Sequence, residues 1–282
     1  MNEDANVYAS LATADDDHRF AYGTGFTDPL AGVDATVPDG VCRDELAGAC
    51  LALGDDALVL SHRLQQWVTR APELEEETAL ANIALDLLGQ ARLLLTRAGQ
   101  ADGSGHGEDW FAFRRGPHEM HNVRLVERAD DDFAEVVGRL AVFASWRLEV
   151  VDALRSCDDP VLAAVCGRAV AELTYHRDYA AGWVVRLGDG TDLSHERMQH
   201  ALEVHWPYVD ELFGGSVLGV ETASLRPAVD GVLDTVLTSA TLVRPVVAAD
   251  AGGGRDGRHT AALTGVLDEM QSIARAHPDA TW

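Results

Sequence analysis

Leu85-Asp86-Leu87-Leu88-Gly89-Gln90 and Glu172-Leu173-Thr174-Tyr175-His176 are the two stretches whose reading decides the fold. A di-iron centre inside a four-helix bundle draws a Glu-x-x-His pair from each of two helices, because residues three apart share a helix face and reach the same interior point. Both stretches have the setting of such a pair and lack its donors. In the first, Asp86 stands in the carboxylate position and Gly89 in the histidine position. In the second, two frames are open. With Glu172 as the carboxylate, Tyr175 takes the place of the histidine; with His176 as the imidazole, Leu173 takes the place of the carboxylate. The pattern describes a metal-binding scaffold without its ligand set.

Outward from these stretches the chain reads as helices. Leu46, Cys50, Leu53, Ala57, Leu60, Leu64 and Trp67 recur at intervals of three and four, one face of a long first helix beginning near Arg43. Pro72 and the acidic run Glu73, Glu75, Glu76 and Glu77 open a second helix, whose apolar run from Leu80 to Leu95 is expected to stop at Gly99. Residues 100 to about 130 read as a long connection rich in Gly, Asp and His. Phe133–Leu154 and Pro160–Leu187 form two more long helices, the second ending at Gly188-Asp189-Gly190. Thr191 or Ser194 caps a fifth helix to about Phe213, and two shorter helices lie near 223–240 and 258–276. Hardly any segment alternates with period two. Four long helices in two hairpins joined by one long connection describe an all-α, ferritin-like four-helix bundle with additional C-terminal helices. Residues 1–40, rich in Gly, Pro, Thr and Asp, read as a flexible acidic extension, and 41–282 as the helical domain.

Composition narrows the function. The net charge is −24, and all 22 basic residues are arginine. Such a surface repels nucleic acid and anionic membranes, and its spread along the chain reads as solubility in a salty cytoplasm. The best candidate span, Val232 to Ala249, carries Asp234 and Arg244, and the acidic start has no secretory pattern; a cytoplasmic protein is expected. Cys42, Cys50, Cys157 and Cys166 lack Cys-x-x-Cys spacing and are expected to be small buried residues.

Each polar candidate has a plain alternative. Asp86 reads as a solvated or capped helix carboxylate or, where buried, as one paired with an arginine of a facing helix, an ion pair taking the metal's place. Glu172 and His176, four apart, are placed to hydrogen bond to one another. Further metal ligands would have to come from Glu149 on the third long helix and His62 or Asp56 on the first, and none completes a second motif. A polar core network or a contact between subunits is therefore the favoured role. His195, His200 and His205, five apart, turn about 140° from one to the next and cannot converge on one metal, which favours a surface or interface role. His118 and His121 form only a weak metal signal. The Gly252-Gly253-Gly254-Arg255-Asp256-Gly257-Arg258-His259 stretch lacks the lysine and preceding strand of a phosphate loop and reads as a mobile loop, with two arginines free for an acidic ligand or partner.

Asp55-Asp56-Ala57-Leu58-Val59-Leu60-Ser61, Ala71-Pro72-Glu73-Leu74-Glu75, the run Leu80 through Asn82 to Arg92, and Glu172-Leu173-Thr174-Tyr175-His176 together resemble the C-type subunits of the phenylacetyl-CoA epoxidase (phenylacetate-CoA oxygenase) family. The turn Arg186–Asp192 and the ending from His259-Thr260 to Trp282 resemble them as well, so the likeness spans residues 50–282. The resemblance implies a structural, non-catalytic ferritin-like component of a multicomponent monooxygenase that makes the ring 1,2-epoxide of phenylacetyl-CoA. It implies no cofactor in this chain and a di-iron centre in the related A-type catalytic component, which this chain pairs with and stabilises. A reductase and a small subunit complete the implied complex. Contact with phenylacetyl-CoA is left open. The competing readings are an oxygenase with its own atypical site built from Glu172, His176, Glu149 and Asp86, and an independent ferritin-like binding or stress protein.

Overall fold

A computed structural model describes residues 30–278 and 280. The chain divides into two compact units, Met1–Val33 and Asp34–Trp282. Most of the expected acidic extension, residues 1–29, lies outside the described residues, and within the first unit Leu30 and Val33 close a turn. In the second unit Val37 is buried, and the Ala35 carbonyl accepts a hydrogen bond from Arg97.

Four long helices build the core of the second unit: α1 (Arg43–Gln65), α2 (Leu74–Ala101), α5 (Phe133–Leu154) and α6 (Pro160–Gly188). Between α2 and α5 come the short α3 (Glu108–Phe113) and α4 (Arg124–Glu127); α7 (Asp192–His205), α8 (Arg226–Ser239), α9 (Ala261–Met270) and α10 (Ser272–Ala276) follow the bundle. Helices α1 and α2 pack most extensively on each other, as do α5 and α6. Pairing of Gln90 with Glu172 and of Asp86 with His176 shows that α2 and α6 run antiparallel across the two hairpins. The fold is the all-α bundle with appended C-terminal helices that the periodicity predicts.

Helix α1 is more central than its stripe suggests, since nearly every residue from Leu46 to Leu64 is buried, Asp55 and Asp56 included. Trp67 is buried beyond the end of the helix, with Arg70 over its ring. Helix α2 is long and apolar enough to cross a membrane by length and composition alone, a test that the core helix of a bundle also passes, and 44% of its most apolar window is buried. It continues through Gly99, which is not a stop: a Cβ there would overlap the His106 carbonyl oxygen, so glycine admits the connection against the helix. The connection itself is structured, with Met120, Val123, Leu125 and Val126 wholly buried.

Asp132 caps α5 by accepting from Glu135 N at 3.1 Å, and Asp159 caps α6 by accepting from Leu162 N at 2.8 Å, with Pro160 at the first helical position. Thr191 caps α7 as predicted, but the helix ends at His205 and not near Phe213. Pro207 has no N–H to continue the ladder, and the chain proceeds in 3-10 turns. A hairpin pairs β1 (Ser216–Val217) with β2 (Val220–Glu221), strands too short to leave a period-two signal.

The glycine-rich stretch is a packed plug and not a mobile loop. Gly253 N and Gly254 N donate to Glu211 Oε1 at 2.9 and 2.7 Å, and a Cβ on Gly254 would overlap the Asn122 carbonyl oxygen.

Candidate functional site

The structure shifts the frame of the first motif by one residue. On α2 the interior positions three apart are Leu87 and Gln90, both buried, whereas Asp86 is 37% exposed at its side chain and Gly89 faces open space. A histidine at 89 would point away from the bundle. On α6 the interior pair is Leu173 and His176, so the second of the two frames describes the helix; Glu172 is half-buried and Tyr175 is 50% exposed. The interior residues that a di-iron bundle would use as two Glu-x-x-His motifs are Leu87-x-x-Gln90 and Leu173-x-x-His176, one imidazole in four positions.

A guanidinium occupies the middle of this arrangement. Arg147 on α5 is wholly buried and donates to Gln90 Oε1 from Nε at 3.2 Å and Nη2 at 3.1 Å, and to the Leu53 carbonyl from Nη1 at 3.1 Å. Asp56 Oδ2 on α1 lies 3.9 Å from it. Gln90 passes the chain on, its Nε2 donating to Glu172 Oε2 at 2.9 Å, while Glu172 Oε1 accepts from Arg168 at 2.9 Å. At the other end Arg255, from the plug, donates to Asp56 Oδ1 at 3.0 Å and Oδ2 at 2.7 Å, and Val123 N donates to Oδ1 at 2.8 Å. All four long helices thus meet in one polar chain, Arg168–Glu172–Gln90–Arg147–Asp56–Arg255, whose acceptors are satisfied by nitrogen donors. Burial pulls the Arg147 guanidinium down to about 10, with Asp56 as the main opposing influence.

The donor set does not fit a di-iron centre. Two ferrous ions would need about four carboxylates and two imidazoles from four helices. The interior offers Asp56 and Glu172, each already held by arginine, with a fixed cation between them. Unit positive charges about 4 Å apart repel by about 4 kcal/mol even at an effective dielectric constant near 20.

The remaining candidates separate. Asp86 pairs with His176, Nε2 to Oδ2 at 3.0 Å, and not with an arginine of a facing helix; Glu172 and His176 do not bond to each other, because each reaches across to α2. Glu149 is half-buried, and its side chain enters no hydrogen bond or ion pair among the described residues. His62 lies 3.3 Å from Glu269, outside the polar chain. His121 Nδ1 lies 3.0 Å from the Arg255 carbonyl oxygen, and His195 Nδ1 caps the Gly188 carbonyl at 2.7 Å. His205 is fully buried, contrary to a surface role, with Nε2 donating to the Glu135 carbonyl at 3.0 Å. Of the plug arginines, Arg255 is spent on Asp56 and Arg258 faces solvent beside Asp256. All four cysteines are free thiols; Cys50 and Cys166 are buried as expected, whereas Cys157 is half-buried and Cys42 exposed.

Arg147 was missed as a site residue although a signal existed: two arginines, 139 and 147, sit in the otherwise strongly apolar helix α5, and both are wholly buried. Arginine in such a run needs interior acceptors.

The profile of the family described as phenylacetic acid catabolic protein matches residues 34–282. A relative from Escherichia coli (strain K12), the C subunit of 1,2-phenylacetyl-CoA epoxidase, is 38% identical over 248 residues, covering 85% of this chain and 100% of the relative.

Proposed function

This chain belongs to the family of phenylacetic acid catabolic proteins, and on that premise we propose that it is the non-catalytic helical component of a 1,2-phenylacetyl-CoA epoxidase. The observation that carries the reading is Arg147: a guanidinium bound to Gln90 and facing Asp56 fills the place where a catalytic bundle would hold metal. The chain's role is then to pack against a related bundle that keeps its ligands, hold that bundle's helices in register, and leave oxygen chemistry to it. A pseudo-two-fold pair of like bundles is the natural assembly. Leu85 and Tyr175, 60% and 50% exposed, lie next to the Asp86–His176 pair on α2 and α6 and offer a partner apolar surface to cover. A stable pairing would bury more than about 1,000 Å².

The test is co-expression with a family member that carries two complete Glu-x-x-His motifs. Iron and epoxidation of phenylacetyl-CoA are expected in the complex, and neither is expected in this chain alone. About two irons per isolated chain would overturn the proposal in favour of an atypical oxygenase. A catalytic relative equally stable and active alone would remove the stabilising role.

A further inference from the structure

Away from the central polar chain, three donors are gathered where the start of α5 meets the end of α7. Asp130 lies in the segment leading into α5, Glu135 in its first turn, and His205 is the last residue of α7. One carboxylate oxygen from each acid and a ring nitrogen of His205 lie within 4.8 Å of one another, and all three residues are buried. Metal–ligand bonds of about 2.1 Å set a tetrahedral edge of about 3.4 Å, so a modest contraction brings them to bonding geometry. Asp130 Oδ1 and His205 Nε2 are already 3.7 Å apart.

One feature distinguishes this cluster from an ordinary ion pair. Asp130 Oδ2 is held by Arg139, but Oδ1, on a side chain 1% exposed, has no hydrogen-bond partner among the described residues. A carboxylate with one oxygen fixed by an outer donor and the other free is the arrangement of an oriented metal ligand. Glu135 is tethered at Oε2, which accepts from Asp131 N at 3.1 Å.

We propose that Asp130, Glu135 and His205 form a binding site for one first-row divalent cation, of the zinc, cobalt or manganese type, that ties the start of α5 to the end of α7. The mixed nitrogen and oxygen donors suit such an ion better than magnesium or calcium. On binding, the His205 proton passes from Nε2 to Nδ1, which has no hydrogen-bond partner among the described residues, and Nε2 turns its lone pair to the cation. Arg139 remains the outer partner of Asp130. The role is structural and independent of whether the chain serves an epoxidase.

Untagged full-length protein, stripped with chelator and dialysed, is titrated calorimetrically with Zn2+, Mn2+ and Co2+, and the Co2+ sample is read for ligand-field absorption. One equivalent of Zn2+ or Co2+ is expected to bind at micromolar concentration or tighter and to raise the thermal midpoint. His205→Gln and Glu135→Gln are each expected to weaken it at least about tenfold. Because His205→Gln removes a buried hydrogen bond, Glu135→Gln, with folding checked by circular dichroism, carries the test if the first variant is unstable. The site is overturned by the absence of saturable binding below millimolar metal, by binding unchanged in Glu135→Gln, or by binding lost instead in an E75Q/E76Q variant of the exposed acidic cluster at the start of α2.

Discussion

Replacing Asp56 by Asn keeps the shape of a fully buried side chain, removes one charge and puts an amide donor where one carboxylate oxygen now accepts. Asp56 faces two guanidinium groups, Arg255 at 2.7 Å and Arg147 at 3.9 Å. At that longer distance the attraction is about 4 kcal/mol for an effective dielectric constant near 20. Arg147 has no water to turn to, and burial already pulls it from 12.5 to about 10, a penalty of about 3 kcal/mol with Asp56 still present. Arg255, 24% exposed, can be rehydrated and adds about 1 kcal/mol. Loss of one partner of a buried pair costs about 3–5 kcal/mol in general, and about 4 is expected for Asp56→Asn. Arg147→Met removes the desolvated cation, leaving Gln90 Oε1 without that donor, and should cost less than about 2 kcal/mol. In the Arg147→Met background Asp56→Asn then costs only the Arg255 part, giving a coupling of about 2–3 kcal/mol. Urea unfolding followed by far-ultraviolet circular dichroism measures all four corners of the cycle through the midpoint at constant slope. A single-mutant cost below about 1 kcal/mol, or additivity within about 0.5, would refute the account of Arg147 as a stranded interior cation.

Gly99→Ala should destabilise by about 2–3 kcal/mol because its Cβ meets the His106 carbonyl, whereas Gly89→Ala, with nothing within 4 Å, should stabilise by about 0.5–1 kcal/mol; equal effects in thermal unfolding would count against both placements. His205, lowered to about 3 by burial, should show no imidazole titration by NMR between pH 8 and 5, and a midpoint near 6.5 would contradict its burial. Its depressed value means that the unfolded chain takes up the proton first, so the stability it contributes is present above pH 6.5 and lost as the pH falls towards 3. Asp130, raised to about 6 by burial, works in the opposite sense: the folded chain takes up its proton first, and its contribution is lost as the pH rises from 3.8 through 6. Asp130→Asn should therefore steepen the acid-side loss of stability between pH 6 and 4 seen in urea midpoints, and His205→Gln should flatten it.

The long helices left the architecture open to reading, because a buried stripe repeats every three to four residues whatever the partner helix is. Asp132 and Asp159, one residue before Phe133 and Pro160, act as the caps that such positions require. Short elements were not legible in the same way. Helices α3 and α4 have six and four residues, too few for a period, and β1 and β2 have two each. The plug looked mobile because glycine permits many conformations; what holds it is Glu211, some 40 residues away in sequence, accepting from two of its amides.

By itself the sequence determined that the chain is a bundle of long helices and that it lacks the ligand pairs of a di-iron protein, since helical period and the absence of a side chain are both local properties. It did not determine which face each polar residue takes. Successive residues on a helix are about 100° apart, so a three-residue motif can be read in frames one residue apart, and only the helix packed opposite chooses Leu87 and Gln90 over Asp86 and Gly89. On α1 and α5, buried almost all round, the period carries no face at all. There the tertiary structure alone decided that Arg147 meets Gln90 and Asp56, because an interior charge must find its partners among whatever side chains the neighbouring helices bring within hydrogen-bonding reach.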